Sequence, residues 1–116
     1  MKPGEIVVSD DDYKTAHQVC YSNAEWAAAA RIAKSRGLSR SMFFRAILAE
    51  LADGGSIRTD IAIPNDGKRV SRSVYYSRRE WSLALELAKK IGLSRPMLLR
   101  VLLAYHRQKA RKSGGV

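Results

Sequence analysis

A phrase written twice constrains this chain more than any other feature. Shifting the sequence by 55 residues sets 19–51 against 74–106 without a gap, and 16 of the 33 positions are identical. VCYSNAEW answers VYYSRREW, and GLSRSMFFR answers GLSRPMLLR. Two stretches this alike predict one local fold used twice. The chain has 116 residues, enough for one compact domain but too few for two independent units with full cores. Each copy therefore has to bury its apolar face against the other.

Each copy opens with β-branched and aromatic residues, which predicts strands over 15–21 and 70–76. Ser22 with Glu25, and Ser77 with Glu80, have the Ser-x-x-Glu spacing of a capping box, which starts a helix. The helices are expected to run to about 36 and 91. Trp26, Ala29, Ile32 and Ala33 give the first its apolar stripe, and Trp81, Ala84, Leu87, Ala88 and Ile91 the other. Arg36 stands where the second copy has Ile91. Gly37 and Gly92 suit the left-handed residue that ends a helix.

Ser39 and Ser94 then cap second helices over 40–52 and 95–109, with Pro96 in the first turn. Phe43, Phe44, Ile47, Leu48 and Leu51 face the core from one of these, and Leu98, Leu99, Leu102, Leu103 and His106 from the other. The domain is thus expected over 13–109, as repeats 13–52 and 69–109 joined by a linker at 53–68. In that linker Ile57, Ile61 and Ile63 form a short strand or pack a loop on the core. Residues 1–12 form an arm with the acidic run Asp10–Asp12, and 110–116 a frayed basic tail.

Strand, capped helix, Gly-Leu-Ser-Arg turn and second helix together resemble the ribbon-helix-helix DNA-binding proteins. Their usual form is a dimer of one such unit, and this chain resembles the rarer fused form. The resemblance implies a mainly α fold with one two-stranded antiparallel ribbon, a single-chain pseudo-dimer. It also implies binding of double-stranded DNA with the ribbon in the major groove. Fused forms occur among accessory proteins of conjugative plasmid transfer and of Agrobacterium T-DNA transfer, so other proteins of a DNA-transfer complex are further expected partners. Transcriptional repression, and a protein interaction module without DNA contact, are the alternatives. The turns at Ala33–Ser39 and Ala88–Ser94 also resemble a helix-turn-helix. That motif needs a further helix, for which the preceding strand leaves little room.

The resemblance puts Tyr21 and Tyr76, just before the caps, in the family's inward position, and strand alternation then makes Val19 and Val74 inward as well. Ala16, Gln18, Cys20, Ser71, Ser73 and Tyr75 then face outward, in the positions that read bases in the family. Gln18 can pair with adenine through both ends of its amide. Arg72 and His17 fall on the inward side. Either they sit at the ribbon's open end, or a bulge shifts the register and turns Arg72 to the groove.

Helix N-termini favour anions. The second helices offer Ser39, Arg40 and Ser41 in the first copy, and Ser94 and Arg95 in the other, as a phosphate clamp. Lys14 and Arg69 lie further out along the strands. Arg78 and Arg79 suit a helix start poorly unless phosphate is near. Asn23 and Ala24 replace them in the first copy.

Net charge is +10, and residues 59–116 hold thirteen Lys and Arg against four Asp and Glu, an imbalance that attracts polyanions. Arg107, Lys109, Arg111 and Lys112 are expected to add sequence-blind attraction. No apolar run spans a membrane and no secretory signal opens the chain, so a cytoplasmic location and no membrane partner are expected. One cysteine and two histidines, with no recurrent nucleophile or carboxylate partner, point to no metal, no cofactor and no enzyme.

Overall fold

The computed structural model describes residues 14–55 and 61–112. It is mainly helical, with one two-stranded antiparallel sheet. The order is β1 (Lys14–Ser22), α1 (Asn23–Ser35), α2 (Arg40–Ala52), β2 (Arg69–Ser77), α3 (Arg78–Lys90) and α4 (Arg95–Lys112). Each strand runs one residue further at both ends than its β-favouring stretch. The helix expected to end at 109 continues to Lys112, into part of the segment read as a frayed tail. The arm 1–12, with Asp10–Asp12, lies outside the described residues, as do Ile57 and the last residues of the tail.

Both capping boxes form. Ser22 Oγ accepts from the Glu25 N–H at 3.0 Å, and Glu25 Oε1 accepts from the Ser22 N–H at 2.8 Å. Ser77 and Glu80 repeat this at 3.1 and 2.8 Å. The far ends of α1 and α3 also match. Leu38 N–H reaches the Ala33 carbonyl and Gly37 N–H the Lys34 carbonyl, as Leu93 and Gly92 reach Ala88 and Lys89. This pair of bonds requires a left-handed residue, and Gly37 and Gly92 have φ of 74° and 77°.

The strands pair over nine residues without a bulge, Lys14 opposite Ser77 through Ser22 opposite Arg69. Gln18 faces Ser73, its own equivalent in the repeat, and the register is symmetric about that pair. Val19, Tyr21, Val74 and Tyr76 project from the inner face into one core with Ile32, Phe43, Phe44, Ile47 and Leu48 of the first half and Leu98, Leu99, Leu102 and Leu103 of the second. Ala29 and Ala33 of α1, and Ala84 and Ala88 of α3, are buried in the same core. Ile91 is an exception to the expected stripe. It is exposed, because α3 has already ended at Lys90 and Ile91 is its C-cap.

Arg45 and Arg100 occupy equivalent positions, and each crosses to the capping glutamate of the other half. Arg100 Nη2 is 3.0 Å from Glu25 Oε2, and Arg45 Nε is 2.9 Å from Glu80 Oε1. Each glutamate thus caps its own helix and holds the opposite one. At Glu80 burial opposes ionisation, but hydrogen bonds from Arg45 and the Ser77 N–H outweigh it and keep the carboxyl below its usual pKa.

The linker breaks the likeness of the halves. Among its described residues it forms no strand and packs as a loop, with Ile61 buried and Ile63 half-buried. Asp66 accepts from Ser22 Oγ at 2.7 Å and from Arg107 Nη1 at 3.2 Å. The Ser22 bond first, and the Arg107 guanidinium with it, hold the Asp66 carboxyl below its usual range against the effect of burial.

A second asymmetry lies where α1 ends. Arg36 Nη2 is 3.1 Å from His106 Nδ1, and His106 Nε2 is 3.9 Å from Glu50 Oε1. A guanidinium can only donate, so Nδ1 accepts and the proton of the neutral ring sits on Nε2, towards Glu50. Burial, with Arg36 and Lys109 nearby, pushes the His106 pKa down to about 4.

Candidate nucleic-acid interface

Strand alternation leaves the outer face of the ribbon uncovered. Ala16, Gln18, Cys20, Ser71, Ser73 and Tyr75 are all exposed there. They pair as Ala16 with Tyr75, Gln18 with Ser73 and Cys20 with Ser71. The middle of this face is a side-chain network. Gln18 Nε2 donates to Ser73 Oγ at 2.9 Å, and Ser71 Oγ donates to Gln18 Oε1 at 2.7 Å. Both ends of the amide are therefore engaged within the ribbon, and a base that pairs with Gln18 has to displace two serines. Tyr75 is the large apolar side chain of the face, 46% exposed.

Arg72 does not belong to this face. Neither the open-end position nor the bulge describes it, because pairing is continuous and Arg72 lies opposite Val19, one residue from the central pair. Its guanidinium lies 5.3 Å from the Trp26 ring centre and bonds Asn23 Oδ1. The equivalent His17 stacks on Trp81 at 4.0 Å and 13°. Burial, then Arg95, holds the His17 pKa below its ordinary value. The two tryptophans thus accommodate polar residues at positions where strand alternation calls for apolar ones.

The same indoles hold Arg40 and Arg95. Arg40 lies 4.2 Å over Trp26 and donates from Nε to the Trp26 carbonyl at 3.2 Å, while Arg95 lies 4.4 Å over Trp81. Such stacking holds each guanidinium in place beside the start of its helix. Ser39 Oγ accepts from the Met42 N–H at 3.1 Å, and Ser94 Oγ from the Met97 N–H at 3.2 Å. These bonds use one of the orphan donors of each helix. The corner at α2 retains the N–H groups of Arg40 and Ser41 and the half-buried Ser41 hydroxyl. At α4, Pro96 supplies no N–H, so that corner is poorer in donors.

Lys14 and Arg69 are exposed at the first positions of β1 and β2, on opposite ends of the ribbon. Arg78 and Arg79 are exposed as the first two residues of α3, directly after the strand. Arg107 is engaged with Asp66, and Lys109 lies 5.7 Å from the Tyr105 ring centre. Arg111 and Lys112 are exposed at the end of α4.

Tryptophan's role as a platform was hidden in the sequence by its fit to the apolar stripe. Identity of Trp26 and Trp81, with an arginine fourteen residues on in each copy, was the available signal.

Among the described residues no group of His, Cys, Asp or Glu could hold a metal ion, and Cys20 is exposed and unpaired. No helix among them is long and apolar enough to cross a membrane. Comparison with protein-family models, with curated proteins and with solved structures gave no match.

Proposed function

We propose that this chain binds duplex DNA as a single-chain ribbon-helix-helix pseudo-dimer. The ribbon lies in the major groove, and the N-termini of α2 and α4 meet phosphates on its two sides. The observation that carries this reading is a two-stranded antiparallel ribbon whose outer face is open, in a chain of net charge +10. A ribbon of this kind has the dimensions of the B-DNA major groove. Lys14, Arg69, Arg78 and Arg79 surround the open face with positive charge. Arg40 and Arg95 add to it from the helix starts.

The outer face lacks a central cation, and its polar groups are of moderate discriminating power. Affinity on this reading comes mainly from phosphate, and sequence choice from Gln18, Tyr75 and the serines. The fused arrangement supports a role as an accessory factor in conjugative or T-DNA transfer, through the resemblance described above. The mutual satisfaction of Gln18, Ser71 and Ser73 favours a second reading, an interaction module whose ribbon no longer meets bases.

Anisotropy of a labelled duplex titrated over a salt series separates the two. DNA binding predicts that affinity falls steeply with salt. Lys14→Gln with Arg69→Gln should flatten the log–log slope by about 0.9 for each phosphate that is no longer neutralised. Gln18→Glu alone, which sets no like charge opposite it across the ribbon, should weaken binding at least tenfold with only a small change in thermal unfolding. Absence of duplex binding at the lowest salt overturns the proposal in favour of the interaction module.

A further inference from the structure

Positive charge gathers at a second place, away from the ribbon. The C-terminal parts of α1 and α4 line a cavity of about 290 Å³ whose walls carry Arg31, Arg36, Arg107, Lys109 and Arg111. Buried Ile32 and half-buried Ala110 belong to the same lining, and among the described residues no aspartate or glutamate does. The volume lies near the lower end of small-molecule sites. α1 starts at Asn23 and α4 at Arg95, so Arg36 and Arg111 lie roughly 20 Å down each helix. That exceeds the screening length of about 8 Å at physiological salt. These cations are therefore poorly placed to serve a duplex held by the ribbon and the helix starts.

The corresponding place in the other half is different. At the 55-residue offset Glu86 stands for Arg31, Lys90 for Ser35 and Ile91 for Arg36, while Ala52, Gly54 and Ser56 stand for Arg107, Lys109 and Arg111. Five positive charges are matched there by one, beside one negative charge. Helix C-termini attract cations, which accounts for a basic residue at each end. It does not account for five around one cavity, where like charges repel. Two carboxylates offset two of them. Asp66 accepts from Arg107 Nη1, and Glu50 Oε2 is 3.9 Å from Arg36 Nη1. Arg31, Lys109 and Arg111 have no carboxylate partner among the described residues. Arg107 Nε is buried and has no hydrogen-bond partner among them.

We propose that this cavity binds a small polyphosphate anion of the nucleoside triphosphate class, with its phosphates among Arg31, Arg107, Lys109 and Arg111 and its less polar part against Ile32 and Ala110. Guanidinium groups suit such a ligand because their fixed fork of N–H donors matches phosphate oxygens. An anion there also relieves the repulsion between the two walls. The size of the cavity suits a small molecule, whereas a duplex would lay no more than its backbone across the mouth.

The site does not depend on the DNA reading, and neither does its test. The full chain is titrated by calorimetry at physiological ionic strength with inorganic tripolyphosphate, adenosine triphosphate and adenosine. Both phosphates should bind at one per chain, and adenosine should not bind. Arg31→Gln with Arg111→Gln, at two exposed positions, should weaken both by about tenfold or more with Tm unchanged. Lys14→Gln with Arg69→Gln removes the same charge at the ribbon and should change these affinities by less than about twofold. Equal losses from the two pairs would reduce the effect to the net charge of the chain and overturn the proposal. Failure of both phosphates to bind would do the same. So would a loss of duplex binding, in place of tripolyphosphate binding, in Arg31→Gln with Arg111→Gln, which would assign the cavity to a nucleic-acid strand.

Discussion

Removing one arginine from the reciprocal exchange should cost far more in one half than in the other. Glu25 is 2% exposed and Arg100 10%, whereas Arg45 and Glu80 are 23% and 24% exposed. In Arg100→Ala the Glu25 carboxylate stays buried, still bonded to the Ser22 N–H but without its counter-charge. A buried charge stripped of its partner costs roughly 3–5 kcal/mol. Arg45→Ala removes the same number of atoms, but water reaches Glu80 and takes over part of the role, so about 1 kcal/mol is expected. Equal truncation makes the difference between the two a measure of burial alone. Urea unfolding followed by circular dichroism reads it directly. With a slope of about 2 kcal/mol per molar, Arg100→Ala should lower the midpoint by roughly 2 M and Arg45→Ala by about 0.5 M. Replacing Arg100 and Glu25 together by Met and Gln should recover part of the loss, since an uncharged pair of similar volume carries little desolvation cost. An Arg45→Ala penalty equal to or above that of Arg100→Ala would refute the reasoning, because burial would then not set the strength of the exchange.

Other outcomes follow from single sites. His106 has a folded pKa near 4, below its ordinary 6.5, so the unfolded chain takes up its proton first on acidification. Stability is therefore full above about pH 6.5 and falls as pH drops towards 4, by up to about 3 kcal/mol. His106→Leu, which copies Leu51 of the first half, should flatten that part of a stability–pH profile. The losses from Glu80 and Asp66, whose pKa values are depressed, should appear only at lower pH. Gly37→Ala and Gly92→Ala place a side chain at positive φ with nothing within 4 Å, so each should cost about 1–2 kcal/mol from the backbone alone, read as a lower Tm. A selection from random duplexes should return a site without palindromic symmetry, because Ala16, Gln18 and Cys20 differ from Ser71, Ser73 and Tyr75. A perfect palindrome would count against that face as the reader of bases.

Local features were the most legible in the sequence. Ser22, Glu25 and Gly37, repeated as Ser77, Glu80 and Gly92, each act through a neighbour within a few residues, and spacing alone reveals that. A strand period of two puts Val19 on the same face as Tyr21, and the resemblance supplied which face is the inner one. What stayed hidden is long-range. Glu25 has an evident partner in Ser22, and nothing in one copy tells that Arg100 is also drawn to it across the molecule. Arg72 looked misplaced because an indole reached from the other half makes its inward position tolerable. Arg40 and Arg95 were readable as cations at a helix start, but not as cations lying on Trp26 and Trp81.

The pairing of Gln18 with Ser73 has a consequence for how such a surface can change. In an assembly of two identical chains, the residue on the axis meets a copy of itself, and any substitution there is made twice. A continuous chain escapes that constraint: an amide can face a hydroxyl, donor to acceptor, at the very centre. Either half can then be altered while the other keeps its grip, which makes the two sides of this molecule separately adjustable by single codon changes.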